Sequence, residues 1–548
     1  MEILQLLLKE SGASRTKLVM FSVLGGISGV LLLAILNSAA AVAATGGVKP
    51  PLVVFFILTI SISVLSQKFV WRTTTRTAED IVHGIRMRMM RKIAGCGLEN
   101  LESIGRAELY AAVNQQAYSI SISIPPIIIS LQSVVLVAFT IAYLAYLSLL
   151  AFVLASTGII AGIAYSISKG RETNRLIDIA IASEQKVYYS LSDLLEGFKE
   201  VKLNHRREAE LMAAAENFSF AARNNRIATG ALVAGTFIST QTALYFLLAV
   251  LVFVVPQFSF EAYPTTVIKL TTAGLFMIGP INSIVAIMPT FTYAEAAIAA
   301  IRRTEALLDR NQEARHAPAS KPPPFQTLAL DQIAYEYKDP GGGKGFGVGP
   351  LSFDVKANEV VFITGGNGSG KTTMLRVLLG LYTPKSGTVL VNGAAVEVEN
   401  LAEHRSLFST VLSDYHLFAR SYGLPRIDAA RAQDLLQRMG LASKTSFRDG
   451  NFDTLDLSTG QRKRLALVVA ILEDRPVMVF DEWAADQDPA FRRIFYHEII
   501  PELRSAGKTV IAVTHDEKYF DCCDRELHMI EGQMVQSGTS GGSGLAAG

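Results

Sequence analysis

Gly365-Gly366-Asn367-Gly368-Ser369-Gly370-Lys371-Thr372 is the stretch whose residue types and spacing point most directly to chemistry. Glycines let successive backbone N–H groups wrap phosphate oxygens, the Lys371 ammonium matches β/γ-phosphate charge, and the Thr372 hydroxyl can coordinate Mg2+. The apolar run Val360 to Thr364 reads as a strand entering this loop and Thr373 to Leu381 as the helix leaving it, the context a P-loop requires. A second apolar strand, Val477 to Phe480, ends in Asp481-Glu482, where the first carboxylate suits Mg2+ and the second a general base that polarises water. A third, Thr509 to Thr514, carries His515 to the same sheet edge, within reach of a γ-phosphate. Finally, Leu457-Ser458-Thr459-Gly460-Gln461-Arg462-Lys463-Arg464 opens a helix with a Ser hydroxyl and a flexible Gly, a second helix-terminus phosphate site. Taken singly, a strand ending in an acid, a histidine or a helix cap is ordinary; in one order downstream of a P-loop they describe a nucleoside triphosphatase.

These groups need a sheet to bring them together. From 325 to 536 short β-branched runs alternate with helical patterns, which predicts an α/β nucleotide-binding domain. Residues 311–324 carry several prolines and no apolar period and read as an extended linker. Residues 537–548 are rich in Gly, Ser and Ala and read as a flexible tail with the look of a cloning scar.

The first 310 residues are different. Of 548 residues, 50% are hydrophobic and 18% charged, where about 25% charged is usual, and the mean hydropathy is +0.31. That is too little charge to cover a soluble surface and too much apolar content for disorder. The net charge of +2 offers nucleic acid no general attraction, so no nucleic-acid partner is expected. Cys96, Cys522 and Cys523 are too few for a disulfide framework and fit a reducing compartment. Long apolar runs predict six spanning helices within 1–310, at about 18–42, 51–71, 122–145, 147–168, 229–255 and 265–291. Basic residues crowd two connections, from Arg72 to Arg106 and from Lys169 to Arg226, whereas the opposite loops offer Lys49 alone. Both termini and the ATPase domain are therefore expected in the cytoplasm. Ile81, Ile85, Met89 and Ile93 recur at spacing four among Arg86, Arg88, Arg91 and Lys92, a helical pattern. It predicts either spans that continue tens of Å into the cytoplasm or an amphipathic helix on the membrane surface. The opening residues lack a cleavage site and read as a mature N-terminus with an interfacial elbow helix, with no peptidase domain expected before the first span.

The P-loop, the LSTGQ signature, the strand ending in Asp481-Glu482 and the terminal His515, in this order, resemble the ABC transporter family, and the resemblance covers essentially the whole chain. It implies a membrane all-α six-helix exporter-type transmembrane domain followed by an α/β P-loop ABC ATPase domain, with ATP and Mg2+ as ligands, Mg2+ on Thr372 and Asp481, and hydrolysis coupled to transport. It also implies a homodimer in which ATP lies between residues 365–373 of one copy, Thr373 included, and Ser458, Thr459, Gly460 and Gln461 of the other. Tyr337 is similar to the aromatic that stacks on adenine, with Tyr335 its competitor, and Asp488 to a loop residue that communicates across the dimer. Gly105 to Leu109 resembles the turn near a first coupling helix and Leu195 to Lys202 a second. One position departs from the family: Ser413 stands where a Gln usually contacts the metal and the attacking water, so water or Asp414 is expected to substitute. That departure, the segment Asp481 to Pro489 and the run LSTGQRKR together resemble the cyclic-peptide and siderophore-peptide exporters of Gram-negative bacteria, the group of the pyoverdine, syringomycin and microcin J25 exporters. The implied activity is export of such a peptide across the bacterial inner membrane by alternating access. A lipid flippase, an exporter-fold siderophore importer and an ATP-gated regulator are the alternatives.

Within the spans, Lys269 either faces a cargo cavity or snorkels to the nearby outer surface. Gln132, Asn282 and the kink-prone Gly279-Pro280 either line such a cavity or join helices. Phe258, Phe260 and Tyr263 read as an interfacial belt among membrane lipids, or as a hydrophobic gate. So little fixed charge suits a large amphipathic cargo better than a small ion.

Overall fold

The computed structural model describes residues 14–43, 50–258, 263–310, 312–313, 324–338, 344–424 and 427–536. The expected elbow helix, most of the linker, the side chains of Phe258, Phe260 and Tyr263, and the tail lie outside the described residues. The chain packs as two units, one of residues 1–94 and 104–310, the other of 95–103 and 311–548.

The first unit is helical. Ser14–Ala43, Pro50–Ala94, Ala117–Leu147, Leu149–Glu196, His205–Phe253 and Tyr263–Asp309 are its long helices, and among the described residues six helices are long and apolar enough to cross a membrane. Hydropathy marks only the part of each helix that meets hydrocarbon; backbone hydrogen bonding carries on past it. Pro50–Ala94, with 45 residues, is about 68 Å long at ~1.5 Å per residue, roughly twice a bilayer's apolar thickness. Its predicted end near 71 is passed because Ala78, Ile81, Val82, Ile85 and Met89 keep one stripe buried. The third and fourth helices meet at Ser148, whose hydroxyl accepts from the Ala151 amide at 3.4 Å. Pro280 and Pro289 lie inside the last helix. Polar side chains stitch helices together: Asn37 donates to the Tyr143 hydroxyl (3.1 Å), Ser121 donates to Glu79 (2.7 Å), and Arg88 pairs with Glu305 (2.7 Å).

Short helices interrupt the long ones. Phe198–Leu203 overlaps the expected 195–202 segment and ends one residue past it, followed by Asn204, whose side chain caps the next helix by accepting from the Arg206 and Arg207 amides. The earlier one, Leu98–Ile104, runs directly up to the segment Gly105 to Leu109, expected as the turn near a first coupling helix. Gly105, at φ +84, is the hinge that separates it from Arg106–Tyr110.

The second unit holds β1 (Thr327–Lys338), β2 (Lys344–Lys356), β3 (Val360–Gly365), β4 (Ser386–Val391), β5 (Ala394–Ala395), β6 (Phe408–Val411), β7 (Phe447–Arg448), β8 (Asn451–Phe452), β9 (Val477–Asp481), β10 (Thr509–Val513), β11 (Arg525–Ile530) and β12 (Gln533–Gln536). The main sheet has six strands in the order β12-β11-β3-β10-β9-β6, parallel except for β12. A four-stranded antiparallel sheet, β2-β1-β4-β5, accompanies it. Strands β3, β9 and β10 are buried along their whole length, which is why they read as unbroken apolar runs. Their side chains alternate between two cores. Phe362 and Phe480 face a cluster with Leu465, Leu467 and Val468 of helix Thr459–Glu473. Val361, Ile363, Val479 and Ile511 face Met374, Leu375, Val377 and Leu378 of helix Lys371–Leu378. Leu98 packs against this second cluster, and the Glu313 amide bonds the Gly95 carbonyl at 3.0 Å, so residues 95–103 belong to the sheet-containing unit.

Candidate functional site

The carboxyl ends of β3, β9 and β10 lie side by side because the strands pair in parallel, with Val513 opposite both Ile363 and Asp481. Each of the three runs that looked like a strand ending in a functional residue does so at one edge of the sheet. At β3 the chain turns through Gly365 at φ +139, where an added Cβ would stand 2.2 Å from the Met529 carbonyl oxygen, and through Gly370 at φ +98 into helix Lys371–Leu378. Only glycine can hold both. Lys371 is 5% exposed and donates to the carbonyls of Gly365 (3.0 Å) and Gly366 (2.9 Å), which folds its ammonium into the loop. Burial lowers its pKa, against the pull of Glu482 and Asp481. Gly366, Asn367 and Gly368 are exposed at the loop's outer turn, while Ser369 is buried.

Asp481 is 1% exposed. Its Oδ2 accepts from the Thr372 hydroxyl at 3.2 Å, and its Oδ1 is buried with no hydrogen-bond partner among the described residues. Burial raises the Asp481 pKa, while hydrogen bonds from Ser413 and Thr372 lower it. An anionic oxygen left over beside a hydroxyl is a donor set that fits a hard divalent cation, so the residues present suit Mg2+. Glu482 follows in a left-handed backbone conformation, φ +50, with its carboxylate 3.2 Å from His515 Nε2. The structure thus brings Lys371, Thr372, Asp481, Glu482 and His515 together. Ser413 reaches Asp481 itself. Asp414, expected as one substitute for the absent Gln, instead pairs with Arg376 at 3.1 Å.

The two aromatic candidates differ in their surroundings. Tyr335 is 3% exposed and stacked on Tyr382 at 5.0 Å, whereas Tyr337 is half-buried and its hydroxyl shares a 3.1 Å hydrogen bond with Thr373 of the P-loop helix. Ser458 and Gln461 form a reciprocal capping box at the start of helix Thr459–Glu473, with Ser458 and Thr459 exposed. Asp488 is exposed and caps helix Pro489–Ile494 by accepting from the Ala490 and Phe491 amides.

In the first unit a cavity of about 820 Å3 is lined by residues including Val137, Leu154, Ile159, Leu244, Leu247 and Val285. None of its lining residues is Asp, Glu, Lys or Arg, and Gln132, Lys269 and Asn282 are not among them. Lys269 and Gln132 are half-buried elsewhere, and Asn282 buries its Oδ1 with no hydrogen-bond partner among the described residues.

Sequence reasoning missed two groups. One is Lys463, buried behind Glu482 with Trp483; in sequence it appeared only as part of the signature run. The other is Glu102, which accepts from the Tyr382 hydroxyl at 2.6 Å; its neighbourhood carries no motif.

A P-loop facing a carboxylate pair and a histidine on a parallel sheet, in a chain with six helices able to cross a membrane, defines a membrane-coupled P-loop ATPase. Residues 348–485 match the ABC transporter family profile. The chain is 34% identical to the ATP-binding protein SyrD of Pseudomonas syringae pv. syringae over 83% of this chain and 82% of that one. It is 33% identical to the probable syringafactin export ATP-binding/permease protein SyfD of Pseudomonas syringae pv. syringae (strain B728a), over 34% of this chain and 30% of that one. Among solved structures, a bacterial Atm1-family ABC exporter with ATP bound superposes with a TM-score of 0.78 at 17% identity, over 96% of this chain and 95% of that one, a likeness of fold. The chain belongs to the ABC transporter family: it is a multi-pass membrane protein that binds nucleotide and couples ATP hydrolysis to transport.

Proposed function

We propose that the protein exports a cyclic or siderophore-type peptide across the bacterial inner membrane, working as a homodimer with its ATPase domains, residues 325–536, in the cytoplasm. The observation that carries this reading is the relation to SyrD along most of both chains; the partial match to an export protein for syringafactin points the same way. An apolar cavity without fixed charge supports a large amphipathic cargo, and membrane lipids surround the six spans. The exposed cap of helix Thr459–Glu473 supports a composite site: Ser458, Thr459, Gly460 and Gln461 would meet the γ-phosphate of ATP bound in residues 365–373 of the partner copy, and Asp488 lies in the loop that would meet the partner.

In hydrolysis Glu482 accepts a proton from water as the water oxygen attacks the γ-phosphorus and the bond to ADP breaks. His515, hydrogen-bonded to Glu482, orients that carboxylate and reaches toward the γ-phosphate. Lys371 neutralises phosphate charge where the bond breaks. Thr372 and Asp481 would hold Mg2+, which when bound supplies further charge neutralisation on the phosphates. Tyr337 offers its ring to adenine. ATP binding closes the two ATPase domains and turns the cavity outward; hydrolysis reopens them.

The test is ATPase activity of the lipid-reconstituted protein and its Glu482→Gln form, with and without cyclic peptides. Peptide-stimulated turnover lost in the variant supports the reading. Stimulation by lipids without response to peptide favours a flippase, absence of turnover in both forms favours a regulator, and turnover that persists in the variant removes Glu482 as the base.

A further inference from the structure

Glu482 sits in a backbone conformation that a non-glycine residue rarely adopts, so something must hold it there. Lys463, in the first turns of helix Thr459–Glu473, has a side chain 7% exposed. Its Nζ donates to the Glu482 carbonyl oxygen at 2.9 Å and pairs with Asp486 Oδ2 at 2.6 Å. From the other side the Trp483 indole N–H donates to the Lys463 carbonyl oxygen at 2.8 Å. Trp483 is 1% exposed and stacked on Phe495 at 4.4 Å, which leaves that donor no freedom. Gln487 completes the lacing by donating to the Gly460 carbonyl at 3.1 Å, and a Cβ at Gly460 would stand 2.9 Å from the Asp486 carbonyl oxygen. The loop that begins at Glu482 is therefore tied to the helix that begins at Ser458, and the tie grips the strained residue itself.

We propose that Lys463 is a positioning residue for hydrolysis: through the Glu482 carbonyl it holds that residue left-handed and so fixes where its carboxylate points. Because Lys463 rides on the helix capped by Ser458, any shift of that helix on engaging a partner's nucleotide moves the Glu482 backbone with it. The proposal rests on the reading of Glu482 as the base.

The experiment is steady-state MgATP hydrolysis by the full-length, lipid-reconstituted protein, with binding of a fluorescent ATP analogue measured alongside. Lys463→Met keeps the buried stem and removes the donor. A carboxylate displaced by about 1 Å costs roughly 100-fold in turnover, so kcat is expected to fall at least tenfold while KM and analogue affinity stay within twofold. Asp486→Asn keeps the bond to the Glu482 carbonyl and is expected to lower kcat less than threefold. Adding Lys463→Met to Glu482→Gln is expected to cost nothing further. Unchanged kcat in Lys463→Met, a loss of analogue binding together with kcat, or an equal loss in Asp486→Asn would each overturn the proposal. If Glu482→Gln itself turns over normally, the base assignment fails first, and the Lys463 result is then irrelevant to it.

Discussion

Glu102 ties residues 95–103 to Tyr382 and Arg376 of the ATPase core, and Glu102→Gln measures that hold. Arg376, in the P-loop helix, donates to the Tyr382 hydroxyl at 2.6 Å, and that hydroxyl donates to Glu102 at 2.6 Å; Arg376 also lies 3.4 Å from Glu102 directly. Tyr382 is 2% exposed, and burial together with the Glu102 hydrogen bond raises its pKa, so it stays a donor at any working pH. A short hydrogen bond to a carboxylate contributes about 1.5–3 kcal/mol when buried. Glu102 is 43% exposed, which reduces that to about 1–1.5 kcal/mol, and the amide of Gln still accepts. The net loss is therefore about 1 kcal/mol, a roughly fivefold shift in local opening. Hydrogen exchange reads it: the Leu101 amide, bonded to the Gly97 carbonyl at 3.1 Å, should exchange about fivefold faster in Glu102→Gln, and the effect should shrink when Arg376→Met is already present. Exchange unchanged within twofold, or the same acceleration in both backgrounds, refutes the reasoning.

Three further outcomes are expected. Asp481→Asn should abolish hydrolysis yet stabilise the fold: because burial raises the Asp481 pKa, the protonated form is favoured below the ordinary carboxylate range and that stability is lost as pH rises through the raised value, so the neutral amide should lift Tm by roughly 2–4 °C at pH 7.5, about 1 kcal/mol, and by less in acid; a lower Tm at pH 7.5 contradicts this. Tyr337→Ala should raise the KM for ATP about tenfold, the worth of one base–aromatic stack, while Tyr337→Phe, which keeps the ring and loses the hydroxyl's bonds to Thr373 and Tyr382, should stay within about twofold; equal effects would remove the ring from the site. Gly365→Ala should cost roughly 2–4 kcal/mol, since both the positive φ and the Met529 carbonyl oppose a Cβ, and unaltered denaturant midpoint and ATP binding would show that the loop has room.

The architecture was legible where physics writes it into local composition. Strands β3, β9 and β10 have both faces buried, so each is an apolar run that stops where the sheet edge meets solvent. The six spans were equally plain, but their ends were not, because hydropathy reports lipid and says nothing of a helix that continues on its own hydrogen bonds. The stripe at Ile81, Ile85 and Met89 carried that continuation. Helix Leu98–Ile104 itself was not legible because seven residues hold too few periods to betray a helix; the more conspicuous Gly105 marks the turn at its end.

Within the site, what was legible is what ligand chemistry demands of residue type: glycines for the loop, Lys371 and Thr372 for phosphate and cation, two carboxylates and a histidine at strand ends. What holds those groups in place was not, because a positioning residue is defined by its partner across the fold and not by its neighbours in sequence. Lys463 shows the difference. Between Arg462, which is exposed, and Arg464, whose guanidinium lies 3.9 Å over the Phe491 ring, it appears in sequence only as part of the signature run; only the meeting of helix Thr459–Glu473 with the end of β9 turns it inward onto the Glu482 carbonyl. The same logic applies to Ser413. As a residue type it looked like the loss of a metal contact; in the fold it lies two residues past β6, the strand next to β9, and it helps to hold the Asp481 pKa down against burial.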